Sequence, residues 1–296
     1  MNTHGEAAAT YRDGRPFDRV RYLEAKLILK PDRFTSVAAF HYFGKLVRRT
    51  ARALDVGYTD GDVGPRPRIR EIVFGDTPDM RLYRHAFILR RRTTYVDGFA
   101  VGDPEIVFKF RHADARRSAA VDVRPNIEGS YRIKFKAEVL PLKDQIGGYR
   151  TLYSHSCVFG LSQVHAADKT VMATLSRVFP ALARLKQSKA ETISLVNQAI
   201  VEEVLLALGD LDFGKGVVAR SNVALWRTRG EHRPLVGEFA FQAKFARADD
   251  VSTKVKKRCE QFFITLQQDV KDWVSLGTTK TGVVYGLNGD GPRSDE

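Results

Sequence analysis

Residues 132–138 read Arg-Ile-Lys-Phe-Lys-Ala-Glu, and residues 105–111 read Glu-Ile-Val-Phe-Lys-Phe-Arg. Successive side chains of an extended chain point to opposite faces, so such stretches sort themselves into two sides. Over a strand expected at Tyr131–Leu140, Ile133, Phe135, Ala137 and Val139 share one face and Arg132, Lys134, Lys136 and Glu138 the other. At Glu105–Arg111, Ile106, Phe108 and Phe110 alternate with Val107, Lys109 and Arg111. At Arg19–Lys30, Leu23, Ala25, Leu27 and Leu29 oppose Tyr22, Glu24 and Lys26. An open sheet with one wet face accounts for any single strand of this kind. Several of them, mostly basic, suggest a sheet closed with its charged faces inward and helices over its apolar outside. Such a lumen needs counter-charge, because clustered buried cations repel and lose hydration.

Working outward, Pro31-Asp32 ends the first strand, and a helix is expected from about Thr35 to Leu54, with Val37, Phe40, Phe43, Val47, Ala51 and Leu54 on one stripe. Strands are expected at Glu71–Gly75 and Phe87–Tyr95, separated by the turn residues Asp76-Thr77-Pro78-Asp79. Further strands are expected near Thr151–Ser162, Val217–Thr228 and Val236–Phe245, and a short last one at Lys280–Tyr285. Val171–Lys186 and Lys189–Leu208 read as a helical pair, and Val251–Leu276 as a long amphipathic helix. Residues 1–16 and 287–296 lack periodicity and are expected to be flexible tails around a single domain at 17–286.

A chain of 296 residues can bury about three quarters of its unfolded surface without disulfide help. Its hydrophobic fraction of 43 % and charged fraction of 28 % exclude collagen-like and wholly disordered classes. A formal charge of +13 favours anionic partners without naming one. Cys157 and Cys259 form no C-x-x-C pair and read as buried free thiols, which fits a cytoplasmic protein. No apolar run approaches a membrane span, and no membrane partner is expected. The histidines show no H-E-x-x-H spacing, and there is no G-x-x-x-x-G-K-[ST] loop. Ser154-His155-Ser156 beside Cys157 lacks a nucleophile elbow and reads as chance adjacency.

Leu23-Glu24-Ala25-Lys26 resembles the opening strand of the CYTH superfamily, the triphosphate tunnel metalloenzymes. Asp76-Thr77-Pro78-Asp79-Met80-Arg81-Leu82 with Leu89-Arg90-Arg91-Arg92 resembles that family's D-T-P-x-x-x-L and L-R-x-R signature. Lys109 and Arg111, Glu238-Phe239-Ala240-Phe241 and Thr279-Lys280-Thr281 resemble its later tunnel strands, in the family's order. The resemblance implies an α+β fold, a closed antiparallel eight-stranded β-barrel with helices packed outside. It implies that Lys26, Arg90, Arg92, Lys109, Arg111 and Lys280 bind a triphosphate. It implies that Glu24 and Glu238 are catalytic, and that they hold a metal together with Glu138: Mg2+ or Mn2+, as a single ion. Two departures reduce the acidic set: Tyr22 and Ala240 stand where the family has glutamates.

The residue chemistry agrees with that implication. A triphosphate offers a row of acceptor oxygens that guanidinium groups grip bidentately and lysines attract as point charges. Arg90 and Arg92 share a strand face and Arg91 takes the other; Asp76 reads as shaping its turn. Two functions follow as expectations: a metal-dependent phosphohydrolase acting on an inorganic or organic triphosphate, or a module that binds triphosphate or polyphosphate without turnover. Nucleic-acid binding ranks behind both, since no aromatic signature interleaves the basic runs.

Overall fold

The computed structural model describes residues 9–60, 66–164, 171–185, 191–247, 251–289 and 291. Eleven strands form one sheet: β1 (Tyr22–Leu29), β2 (Gly57–Thr59), β3 (Arg68–Asp76), β4 (Phe87–Val96), β5 (Phe99–His112), β6 (Arg132–Pro141), β7 (Tyr149–Gly160), β8 (Ser194–Leu195), β9 (Val201–Asp212), β10 (Val218–Thr228) and β11 (Pro234–Lys244). Nine of them run β9-β10-β11-β1-β6-β7-β5-β4-β3, and β3 pairs back to β9, so the sheet closes into a barrel. The short β2 and β8 attach to β9 and β3. All barrel pairs are antiparallel except β1 with β6, which run parallel. The expected eight-stranded antiparallel barrel is therefore a nine-stranded mixed one.

The additional strand is β9, which the sequence reads as helix. Its run Val-Glu-Glu-Val-Leu-Leu-Ala-Leu is rich in good helix formers and is apolar on both sides. A strand buried on two faces loses the alternation that would reveal it. Val204, Leu206 and Leu208 face the outer core, and beyond Gly209 the outward set becomes Leu211 and Phe213. A register break at Gly209 makes this possible: Ser221 pairs with Gly209, but Asn222 pairs with Ala207. The one-residue bulge switches the parity of the strand and keeps Leu211 and Phe213 on the outer side with Val204, Leu206 and Leu208. Gly209 has φ +114, and a Cβ there would lie 2.2 Å from the Thr59 carbonyl oxygen, so only glycine fits.

Helices cover the outside in two patches. α1 (Val37–Ala53) and α5 (Thr253–Asp269) pack on β1, β9, β10 and β11, with Phe43, Phe239, Phe241 and Phe262 at the centre. On the other side, Phe87, Phe108, Phe110, Cys157 and Phe159 pack under α4 (Met172–Val178) and the segment Pro180–Arg184. α1 starts after Ser36, which takes the N-cap position expected for Thr35 without a side-chain capping bond, and α5 ends at Asp269, where a short 3-10 turn at Lys271–Trp273 turns the chain back along β1. The expected helix Val171–Lys186 breaks after Val178, just before Pro180; Lys186 and residues 189–190 lie outside the described residues. Both cysteines are free and buried, and burial pushes each thiol up to about 12. Tyr11, in the stretch read as a tail, is buried and donates its hydroxyl to the carbonyl of Ala119, the last residue of the short helix α3 (Ala115–Ala119), so that part of the N-terminus is held to the barrel. Residues 1–8, 290 and 292–296 of the two expected tails lie outside the described residues.

Lys280–Tyr285 is a helix, α6, not the expected closing strand. Thr279 caps it, accepting a hydrogen bond from the Gly282 amide. Val284 and Tyr285 join Ile28, Ile72, Ile88, Val201, Trp226 and Val236, which are inward-facing residues at one end of their strands. One end of the lumen is thereby filled with an apolar floor. Asp76 ties that floor together through α2 (Arg81–Arg84): its carboxylate accepts from the Thr77, Leu82 and Tyr83 amides and from the Tyr285 hydroxyl. Asp76→Ala orphans these donors at about 1–3 kcal/mol each. The expected outcome is a loss of at least about 3 kcal/mol, read as a lower urea midpoint, with Asp76→Asn intermediate.

Candidate functional site

Strand alternation puts polar residues of all nine barrel strands into one cavity of about 210 Å³. Eight cationic side chains line it, Lys26, Arg70, Arg90, Arg92, Lys109, Lys134, Lys136 and Lys280, against the four carboxylates of Glu24, Glu138, Glu203 and Glu238. Arg111 lies behind this lining, its guanidinium 3.5 Å from Glu138. All nine residues predicted for the site therefore converge on the lumen. Arg91 points away from it, towards Glu71. Ser154 and Ser156 line the cavity, whereas His155 between them faces outward to Asp18 and the Val121 carbonyl, so no nucleophile arrangement forms.

The charges are wired in two groups. In the first, the Lys26 ammonium lies 3.0 Å from Glu24 and 3.0 Å from Glu138. Lys136 reaches the other oxygen of Glu24 at 3.1 Å, and Lys109 stands 3.7 Å from Glu138. In the second, Lys280 lies 2.7 Å from Glu238 and 3.3 Å from Glu203. Glu203 also accepts from Arg70 at 2.6 Å and from the Trp226 indole at 2.8 Å. Near the opening, Arg92 donates to Glu105 at 2.9 Å.

Burial works against every one of these charges, and the partners decide the outcome. Burial alone would raise Glu24, but Lys26 and Lys136 outweigh it and hold the carboxyl at about 2. Glu138 is held well below the ordinary range by Lys109, Lys26 and Arg111, and Glu203 by Lys280 and Arg70. Lys26 is held up by Glu138, Glu24 and Glu238 against its burial. Three other cations are shifted the opposite way. Burial, then repulsion from Arg111, Lys26 and Arg90, brings Lys109 down to about 7 despite Glu138. Burial and the neighbouring Arg92 and Arg70 bring Arg90 to about 10. Lys134 falls through burial and the charges of Lys136, Arg132 and Arg92. The Arg90 Nε is buried without a hydrogen-bond partner.

The expected metal ligands do not gather into a metal site. Among the described residues no three His, Cys, Asp or Glu side chains stand together in a way that could hold a metal ion. Glu24 and Glu138 are neighbours across the parallel β1–β6 pair, yet an ammonium already lies between them. Ala240 lines the cavity where the family pattern has a second glutamate. The donor set thus does not fit a divalent ion.

Sequence reading missed Arg70 and Glu203. Arg70 precedes the Glu71 at which the strand was expected to begin, although Arg68, Arg70 and Ile72 continue its alternation. Glu203 lies in the strand read as helix, where no period-two signal exists to find it. Lys280 reaches the lumen from the first residue of α6 instead of from a strand. No helix among the described residues is long and apolar enough to cross a membrane.

No family model and no curated protein matches the sequence. Solved structures with a similar path of chain include a protein from Hippeastrum, described as a candidate adenylyl cyclase with a dominant triphosphatase activity. It has TM-score 0.40 and 12 % identity, covering 90 % of this chain and 95 % of that one. A candidate adenylate cyclase from Bacillus halodurans has TM-score 0.38 and 12 % identity, covering 88 % and 95 %. Protein PH1819 of Pyrococcus horikoshii has TM-score 0.34 and 11 % identity, covering 87 % and 96 %. In its closed barrel, its inward charged strands and the order of its motifs, the chain resembles the CYTH superfamily of triphosphate tunnel proteins.

Proposed function

We propose that this chain binds a linear triphosphate, inorganic or carried by an organic group, in the basic lumen. The observation that carries the reading is the uncompensated charge. Arg90, Lys109 and Lys134 are cations whose ionised forms are disfavoured by burial and then by the cations around them, and the Arg90 Nε has no hydrogen-bond partner. A protein keeps such a cluster at a cost in stability, and a polyanion offsets that cost. The apolar floor makes the lumen a blind pocket, which suits a short chain of phosphates entering from the open end better than a long polymer threading through. Hydrolysis of the bound ligand is the second reading. It draws on Glu138, whose Oε2 is buried without a hydrogen-bond donor and remains available to a water. Phosphate release, followed in parallel with binding, separates the two readings.

Arg90→Met tests the grip. Losing one charge-assisted contact of about 1.5–3 kcal/mol weakens inorganic triphosphate binding roughly 10- to 100-fold by calorimetry. The ligand-free Tm should stay level or rise, because a desolvated, unpartnered charge has gone. Unchanged affinity would place the ligand elsewhere.

The pH dependence follows from Lys109. Its folded-state value of about 7 lies below the ordinary value of 10.5, so between these limits the unfolded chain holds the extra proton and ligand-free stability rises with pH. A bound triphosphate favours the ammonium and draws the proton back. Binding at pH 8 is therefore expected to take up as much as about one proton, and affinity should fall from pH 7 to 9. Calorimetry in two buffers of different ionisation enthalpy measures the uptake. Lys109→Met should lose the part that does not belong to the ligand's own titration.

A further inference from the structure

Resting on the triphosphate reading, we propose that the lumen takes the free triphosphate anion and not its magnesium chelate, with Lys26 as a built-in cation where a divalent ion would otherwise sit. The Lys26 ammonium is 3.0 Å from a carboxylate oxygen of both Glu24 and Glu138. Those two residues stand opposite each other on β1 and β6, facing the same cavity. Their remaining oxygens also face cations. Glu24 is taken by Lys136 at 3.1 Å, and Arg111 lies 3.5 Å from the second oxygen of Glu138.

The second acidic group repeats the device. Lys280 bridges Glu238 and Glu203, and both oxygens of Glu203 are used, one by Trp226 and one by Arg70. Mg2+ needs near-octahedral oxygen ligation at short range. Here it would meet an ammonium already hydrogen-bonded to its ligands, and two added charges would repel that ammonium. Ala240, which lines the cavity two residues after Glu238, adds no oxygen ligand to this group.

Charge balance points the same way. The cavity holds eight cationic groups against four acidic ones. A chelated triphosphate carries two negative charges fewer than the free anion and neutralises that surplus less well. The fixed ammonium groups also need no assembly when the ligand arrives, because their carboxylate partners already hold them in place.

The test compares inorganic triphosphate binding by calorimetry in EDTA with binding under stepwise excess of Mg2+. The expected result is tightest binding in EDTA and progressive loss as Mg2+ sequesters the ligand. The electron paramagnetic resonance signal of free Mn2+ should be undiminished by ligand-free protein, and should be lost on adding folded Lys26→Gln, in which the two carboxylates lack their shared ammonium. Binding that requires or is strengthened by Mg2+, or Mn2+ captured by the wild type, overturns this inference and leaves the triphosphate reading standing. Mn2+ that ignores both wild type and folded Lys26→Gln overturns the role given to Lys26. No binding heat in either condition removes the triphosphate reading and this inference together.

Discussion

Everything in this barrel is organised around burying like charges inside a closed sheet. Eight cationic groups share one cavity. Water cannot screen them as it would at a surface, so each charge needs a partner within a few ångströms or gives up part of its ionisation. The four carboxylates do not neutralise this population evenly. They are drawn into two clusters around Lys26 and Lys280, and those clusters are nearly self-sufficient. The shortfall falls on Arg90, Lys109 and Lys134, which form the least neutralised part of the wall. A cavity with evenly paired charges would have no such electrostatic demand for an anion.

The outer layers make that interior affordable. Helices α1 and α5 on one flank, and α4 with its following segment on the other, bury aromatic and aliphatic residues from the outward face of almost every strand. Burial of this kind contributes about 25 cal/mol for each square ångström of apolar surface and supplies the stability against which a charged lumen can be kept. The bulge at Gly209 serves the same end, since without its parity switch Leu211 and Phe213 would point inward among the charges. At the floor, the hydrogen bonds of Asp76 join α2 and α6 to the strand ends. The aspartate at the start of the D-T-P motif thus shapes the pocket from outside its chemistry.

How much was legible along the chain depended on whether the signal was local. Alternation of charged and apolar residues is a property of neighbours, and it was enough to place Glu24, Lys26, Arg90, Arg92, Lys109, Arg111, Glu138 and Glu238 on one side of their strands. It also identified most of the strands themselves and set Arg91 outside. It could not identify β9, because a strand covered on both faces carries no alternation and its leucines and alanines favour helix in isolation. Glu203 was lost with it.

Closure, pairing and partnership are nonlocal, and the folded chain alone settles them. Nine strands close instead of eight because β3 finds β9 across more than a hundred residues, and β1 runs parallel to β6 because the chain between them travels around the barrel. The last segment turns from strand to helix because Thr279 caps it and the apolar ends of six strands give Val284 and Tyr285 a place to pack. Glu24 and Glu138 lie 114 positions apart in sequence, and nothing in either stretch shows that one lysine will stand between them. A charged side chain's neighbours in space determine whether it grips a ligand, balances a glutamate or excludes a metal, and those neighbours come from strands that only the closed barrel brings together.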